Sequence, residues 1–224
     1  MTMNIVSRID PLVTIKNVLV SVSDKRGLAD FIPRLLEASP RAHFYSTGGT
    51  FTAISQALGD QTDKRLTPVS EYTGQPETQG GLVKTLDFKI YLGLLTETYN
   101  EAHAEDMERT GAVPIDLVVV NLYPFVRTIA GPEVTPEQAR GNIDIGGPCM
   151  LRAAAKNFIR VAPVVDPGDY DRILREMEQN QGALSLETRF DLAGKAFEHT
   201  AGYDRAIADY LAGTDIEQIK SCYN

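Results

Sequence analysis

Tryptophan is absent from the 224 residues, and histidine is limited to His43, His103 and His199. None of the three directly follows a strand-like run. His103 lies on a charged helical stretch and is read as facing solvent. His199, in FEHTAGYD, is read as a structural residue at a helix junction. There is no GxSxG elbow, no HExxH pair and no P-loop, so Ser/His/Asp hydrolysis and metal catalysis lack support. Cysteine is confined to Cys149 and Cys222, far apart and outside any CxxC pair. That usage argues for a reducing compartment and against a structural zinc. No run approaches the roughly 20 apolar residues of a membrane span, and MTMNIVSRID lacks the apolar core of a signal peptide. A cytoplasmic location is expected. Positive charge is also in deficit: 22 Lys and Arg against 30 Asp and Glu leave a net charge of −8. Such a chain is not expected to grip nucleic acid through a general basic footprint. A few cations gathered in one pocket would still hold an anionic metabolite.

Apolar residues make up 43% of the chain, enough for a sizeable core in one domain spanning 1–224. Residues 1–11 read as a frayed leader. VLVSV at 18–22 and DLVVVN at 116–121 are continuous apolar runs, the pattern of strands buried on both faces. Further strands are expected at 43–45, 64–69 and 161–165. Helices are expected at 28–38, 51–58, 99–110, 135–140, 149–157 and 167–179, with one long helix or two at 186–211 forming a C-terminal arm. Residues 70–81 read as loop, and 90–95 as a strand or a short helix. The α/β core then covers about 17–165 and a helical extension about 167–224. Alternating strands and helices argue for a parallel sheet covered on both faces, with ligands beyond the carboxyl ends of the strands. The loops at 21–25, 46–50 and 121–125 each follow a strand, so they should line one edge and one polar pocket.

Ser46-Thr47-Gly48-Gly49-Thr50 is the stretch with the clearest ligand geometry. A strand, a glycine turn and a helix start would aim three hydroxyls and several unpaired N–H groups into a phosphate-sized volume. The alternative is a helix start capped by Thr50. Around the same edge stand Ser21, Ser23 and Lys25, then Lys84 and Thr85 after Gly80-Gly81, then Asn121 and Tyr123, and Asp144 in NIDIGG. Lys156 ends LRAAAKN and meets Asp144 only if the intervening helix folds back on the pocket. Lysine, aspartate and tyrosine suit proton shuffling and oxyanion stabilisation without a cofactor. Each also has a plainer reading: Lys25 solvated, Tyr123 packing at a strand end, Asp144 stabilising its own turn, Lys156 capping its helix, Cys149 packing.

Several segments together resemble the inosine monophosphate cyclohydrolase domain of the bifunctional purine biosynthesis (PurH) family. They are VSVSDKRGL at 20–28, STGGT at 46–50, TGQPETQGGLVKTL at 73–86 and DLVVVNLYPF at 116–125. NIDIGGPCMLRAAAKNF at 142–158 and SLETRFDLAGKAFEHTAGYDRAIADYL at 185–211 follow in the same order. The resemblance implies an α/β fold, a three-layer methylglyoxal-synthase-like sandwich with a mainly parallel sheet and a C-terminal helical extension. It implies dehydrative closure of 5-formamidoimidazole-4-carboxamide ribonucleotide to inosine monophosphate, with no metal or redox cofactor. Carried over by position, Asp144 supported by Lys156 is the base. Lys84 with Tyr123 stabilises the formyl oxyanion. Ser23, Lys25 and Ser46, Thr47, Gly48, Gly49 and Thr50 hold phosphate and ribose, Thr85, Asn121, Ile145, Gly146 and Gly147 orient the heterocycle, and Ser21 is a further substrate-binding residue. The implied partners are the nucleotide, a second copy in a homodimer, and a separate formyltransferase that supplies substrate to a stand-alone cyclohydrolase. Two departures stand out: Leu82 where the family carries arginine, removing a cation suited to the phosphate, and Asp87-Phe88 where it carries His-Pro. A methylglyoxal-synthase-like lyase and a non-catalytic nucleotide sensor remain as alternatives.

Overall fold

The computed structural model describes residues 5–76 and 84–223. The strands are β1 (Leu12–Thr14), β2 (Asn17–Val22), β3 (His43–Ser46), β4 (Leu66–Pro68), β5 (Leu117–Asn121), β6 (Ala162–Val164) and β7 (Ala183–Ser185). Five of them form a sheet in the order β4-β3-β2-β5-β6, with every neighbouring pair parallel. The continuous apolar runs explain it: both faces of these strands are covered, so alternate residues serve two cores. Val18, Val20, Leu117 and Val119 belong to one core, and Leu19, Val118 and Val120 to the other.

The helices between the strands are α1 (Leu28–Ala38), α2 (Gly48–Leu58), α3 (Thr62–Arg65), α4 (Val69–Thr73), α5 (Phe88–Leu95) and α6 (Glu101–Thr110). They continue with α7 (Phe125–Ile129), α8 (Pro136–Gly141), α9 (Gly146–Lys156), α10 (Tyr170–Gln179), α11 (Leu186–Gly213) and α12 (Ile216–Lys220). Phe31, Ile32 and Leu35 of α1, Ile54 of α2 and Ile173 and Leu174 of α10 cover one face of the sheet. Ile90 and Leu94 of α5, Met150 and Leu151 of α9 and Tyr203 of α11 cover the other. The result is a three-layer α/β sandwich.

The structure corrects some local expectations and decides between the alternatives left open at 90–95 and 186–211. Residues 70–73 are helical rather than loop, since Thr73 Oγ1 closes a turn on the Val69 carbonyl; Gly80-Gly81 lies outside the described residues. Residues 90–95 are helix, begun by Asp87 as N-cap. The segment 186–211 lies in one 28-residue helix, Leu186–Gly213, and Leu192, Ala193 and Ala196 are buried on it, so it closes the core as well as extending the chain. Residues 5–11 are tied down: Tyr99 Oη donates to Asp10, Arg8 stacks on the Tyr99 ring, and the following β1 pairs antiparallel with β7. The buried Arg189 joins these pieces by donating to the carbonyls of Asp10, Phe158, Ile159 and Leu184. His103 is half-buried, its Nδ1 accepting from the Glu97 amide.

Sequence neighbours explain the strand order. β2, β3 and β4 step outward in one direction, and β5 returns to the other side of β2. That reversal leaves a crevice beyond the carboxyl ends of β2 and β5, where open parallel sheets take their ligands. Among the described residues no helix is long and apolar enough to cross a membrane.

Candidate active site

The glycine turn after β3 builds the first wall. Thr47 is extended (φ −129°, ψ 153°), and Gly48 adopts φ +50°, a left-handed conformation that favours glycine. α2 begins there, and no side chain among the described residues caps it, so its first amides are open to a ligand. Thr47, not Thr50, is therefore the N-cap. Two ammonium groups flank the turn. A Cβ placed on Gly48 would lie 3.7 Å from Lys84 Nζ, and one on Gly49 would lie 3.9 Å from Lys25 Nζ. Open amides at a helix start with two lysines beside them form an anion cradle. The hydroxyls contribute less than the sequence implies. Ser46 Oγ is buried and donates to the Val20 carbonyl at 2.8 Å. Thr50 Oγ1 accepts from Val22 N at 3.1 Å and donates to the Val22 carbonyl at 3.0 Å. Both tie the cradle to β2, and only Thr47 keeps a hydroxyl without a partner among the described residues.

At the crevice between β2 and β5, Asn121 acts as a staple. Its Oδ1 accepts from the Ser23 and Asp24 amides, each at 2.8 Å, and its Nδ2 donates to the Asp24 carbonyl at 2.9 Å. Ser23 Oγ donates to the Leu122 carbonyl at 2.7 Å. These side chains hold the loop that carries Lys25 rather than pointing free atoms at a heterocycle. Ser21 stays within β2, in register with Val120.

The second wall carries Asp144. Its Oδ1 accepts from Gly147 N at 2.9 Å, at the start of α9. Burial pushes its carboxyl above the ordinary value, against the pull of the Gly147 and Tyr123 amides. Glycine is required beside it: a Cβ on Gly147 would lie 2.6 Å from Asp144 Oδ2. A Cβ on Gly146 would lie 2.5 Å from Oγ1 of the buried Thr85. Thr85 follows Lys84, so this close approach sets the Lys84 segment against the segment that carries Asp144. Tyr123 is 57% exposed, as is Ile145.

Comparison with known proteins now bears on this arrangement. The MGS-like domain model matches residues 27–149, and the AICARFT/IMPCHase bienzyme model matches residues 154–224. The bifunctional purine biosynthesis protein PurH of Leptospira biflexa is 49% identical over 200 residues, covering 89% of this chain and 38% of that protein. PurH of Acidithiobacillus ferrooxidans is 48% identical over 198 residues, covering 88% and 37%. The crystal structure of ForH aligns with a TM-score of 0.72 at 34% identity, covering 87% of this chain and 98% of that one. The chain belongs to the PurH family. It spans a little over a third of the length of the curated PurH relatives it matches.

Within this PurH-family domain, the site residues named from sequence separate into groups. Lys25, Lys84, Gly48 and Gly49 gather at the cradle, while Asp144, Thr85, Gly146 and Gly147 gather at the second wall. Lys156 is not brought to Asp144. It is exposed at the last position of α9, and eleven helical residues put about 15 Å between the two ends. The expectation of one pocket also needs correction, because the described residues of this edge line two separate cavities. One, of about 330 Å³, is lined by Thr47, Gly48, Ser70, Gln75 and Lys84 among others. The other, of about 890 Å³, runs from Ser23, Lys25 and Asn121 to Arg127, Lys195 and His199.

Leu82 lies outside the described residues. Asp87 does not face the cradle as a loose negative charge: it is buried, caps α5 by accepting from Lys89 N, and accepts from Gln75 Nε2 at 2.7 Å. Sequence reasoning missed Gln75 in the cavity wall. It also missed Tyr203, whose hydroxyl accepts from Asp144 N at 2.8 Å. The one signal for Tyr203 is helical period, since it shares the buried stripe of Leu192, Ala196 and Thr200.

Proposed function

We propose that this PurH-family domain catalyses the ring closure of 5-formamidoimidazole-4-carboxamide ribonucleotide to inosine monophosphate. The observation that carries the reading is the pairing of the two walls: a cradle with two ammonium groups beside a half-buried carboxylate whose proton affinity is raised. The cradle takes the 5′-phosphate, with Lys25 and Lys84 matching its charge. The carboxamide nitrogen then lies toward Asp144 and the formyl group toward Lys84 and Tyr123.

The chemistry fits those residue types. The carboxamide nitrogen attacks the formyl carbon and a C–N bond forms. Asp144 accepts the proton that nitrogen loses, aided by a carboxyl more basic than an exposed one. Charge develops on the former formyl oxygen, where the Lys84 ammonium and Tyr123 hydroxyl stabilise it. The C–O bond then breaks as a C=N bond forms to the former formamide nitrogen, and the oxygen leaves as water with two protons, one that Asp144 took from the carboxamide nitrogen and one lost by the formamide nitrogen. Both reacting groups belong to one molecule, so holding them in attack geometry removes much of the entropic barrier. Lys156 has no part in this scheme.

Purified protein is incubated with the formamido ribonucleotide and, separately, with dihydroxyacetone phosphate. Inosine monophosphate appearing by absorbance in the first supports the reading. Methylglyoxal in the second would replace it with the lyase, and tight nucleotide binding without turnover would replace it with a sensor.

A further inference from the structure

We propose that Tyr203 of α11 is the positioning residue for Asp144, a role that rests on Asp144 being the base. The Asp144 amide donates to Tyr203 Oη at 2.8 Å, and Oη donates to the Asn142 carbonyl at 3.2 Å. An amide can only donate and a carbonyl only accept, so the direction of both bonds is fixed. The hydroxyl thereby clamps the loop on either side of Ile143. The side chain of Asp144 has its other tether at Gly147 N, so the clamp on the backbone and the tether on the carboxylate together fix where Oδ2 points.

Tyr203 also touches the opposite loop. Its ring packs edge-on against Phe125 at 6.2 Å, and Phe125 N donates to the Tyr123 carbonyl at 2.8 Å. One buried side chain thus fixes both the loop that carries Asp144 and the loop that carries Tyr123. It comes from a helix far along the chain and adds to the bonds that each loop makes within itself. Tyr210 offers an internal control. It sits two turns further along α11, packs on the same Phe125 ring at 5.7 Å, and makes no bond to the Asp144 loop.

The test compares Tyr203→Phe, Tyr210→Phe and Asp144→Asn, singly and with Tyr203→Phe added to Asp144→Asn. With the formamido ribonucleotide, Tyr203→Phe is expected to lower kcat about tenfold or more while KM stays within about twofold, because a small displacement of a reacting group costs rate rather than binding. Tyr210→Phe is expected to match wild type. In the Asp144→Asn background Tyr203→Phe is expected to add nothing, the signature of two residues acting through one group. By NMR, the Asp144 amide is expected to exchange at least about tenfold faster in Tyr203→Phe. Unchanged kcat, or an equal loss in the Asp144→Asn background, would overturn the proposal. If Tyr203→Phe does not fold, the wild-type exchange rate decides, and an unprotected Asp144 amide overturns the clamp. A wild-type protein that leaves the ribonucleotide unconverted overturns the functional reading alone, since amide exchange does not depend on turnover.

Discussion

Replacing Gly147 by alanine is the most local perturbation of the second wall. The new Cβ would sit 2.6 Å from Asp144 Oδ2, 2.6 Å from Leu122 Cδ2 and 3.0 Å from Asp144 Cγ. Ordinary contact begins near 3.4 Å, so the neighbours must retreat by about 0.8 Å. Leu122 can turn its methyl away. The Asp144 carboxylate is pinned to the amide of Gly147 itself at 2.9 Å, and it must move on that tether. A misplacement approaching 1 Å costs up to about a hundredfold in rate, equivalent to about 2.7 kcal/mol of transition-state stabilisation. Two opposing effects act on stability. Overpacking costs about 1–3 kcal/mol, and helix propensity returns at most about 1 kcal/mol. The overpacking wins, and Tm should fall by about 2–4 °C for each net kcal/mol in a chain of this length. Steady-state formation of inosine monophosphate reads kcat, and scanning calorimetry reads Tm. Gly194→Ala is the companion: it lies mid-helix in α11 with nothing within 4 Å of its Cβ position. That variant should gain roughly 0.5–1 kcal/mol and keep wild-type kcat. A Gly147→Ala enzyme with wild-type kcat would refute the placement of Asp144 as base.

Lys25→Ala removes one ammonium of the cradle and should raise KM about tenfold or more, the scale of a charge-assisted hydrogen bond, with kcat within about threefold; the reverse split would put the phosphate elsewhere. Asp87→Ala removes the N-cap of α5 and the Gln75 bond and should cost about 1 kcal/mol, seen as a Tm lower by about 2–4 °C; an unchanged Tm would contradict it. The pH dependence has a fixed sign. As the proposed base, Asp144 would work deprotonated, and burial makes it hold its proton to higher pH, so kcat should fall on acidification with a midpoint above the ordinary carboxylate value of about 3.9. Asp144→Asn should abolish that limb, and a limb at or below the ordinary value would contradict the assignment.

Much of the sheet was legible because VLVSV and DLVVVN are apolar on both strand faces, and their alternation with helical stretches points to a covered parallel sheet. The pair β1 and β7 was not: three-residue strands carry too little pattern to register, and their pairing depends on the remote Arg189. STGGT announced its turn, since Gly48 sits at positive φ. The fate of its hydroxyls was hidden, because Ser46 and Thr50 bond to β2 carbonyls that become neighbours only once the strands pair. The distance from Asp144 to Lys156 was equally hidden, for a spacing of twelve residues does not say that the helix runs straight away from the pocket. Tyr203 could be read as a buried helical residue but not as a clamp, because its partner is a backbone amide 59 positions away.

In the proposed reaction the cradle and Asp144 together close a ring on a phosphate-bearing substrate. The most direct measurement is single-turnover conversion of 5-formamidoimidazole-4-carboxamide ribonucleotide by wild type and by Asp144→Asn, with nucleotide affinity measured in parallel by calorimetry. Conversion by wild type, with a loss of at least about a hundredfold in Asp144→Asn at similar affinity, is the predicted result. Equal conversion by both proteins, or binding without conversion by wild type, would contradict it.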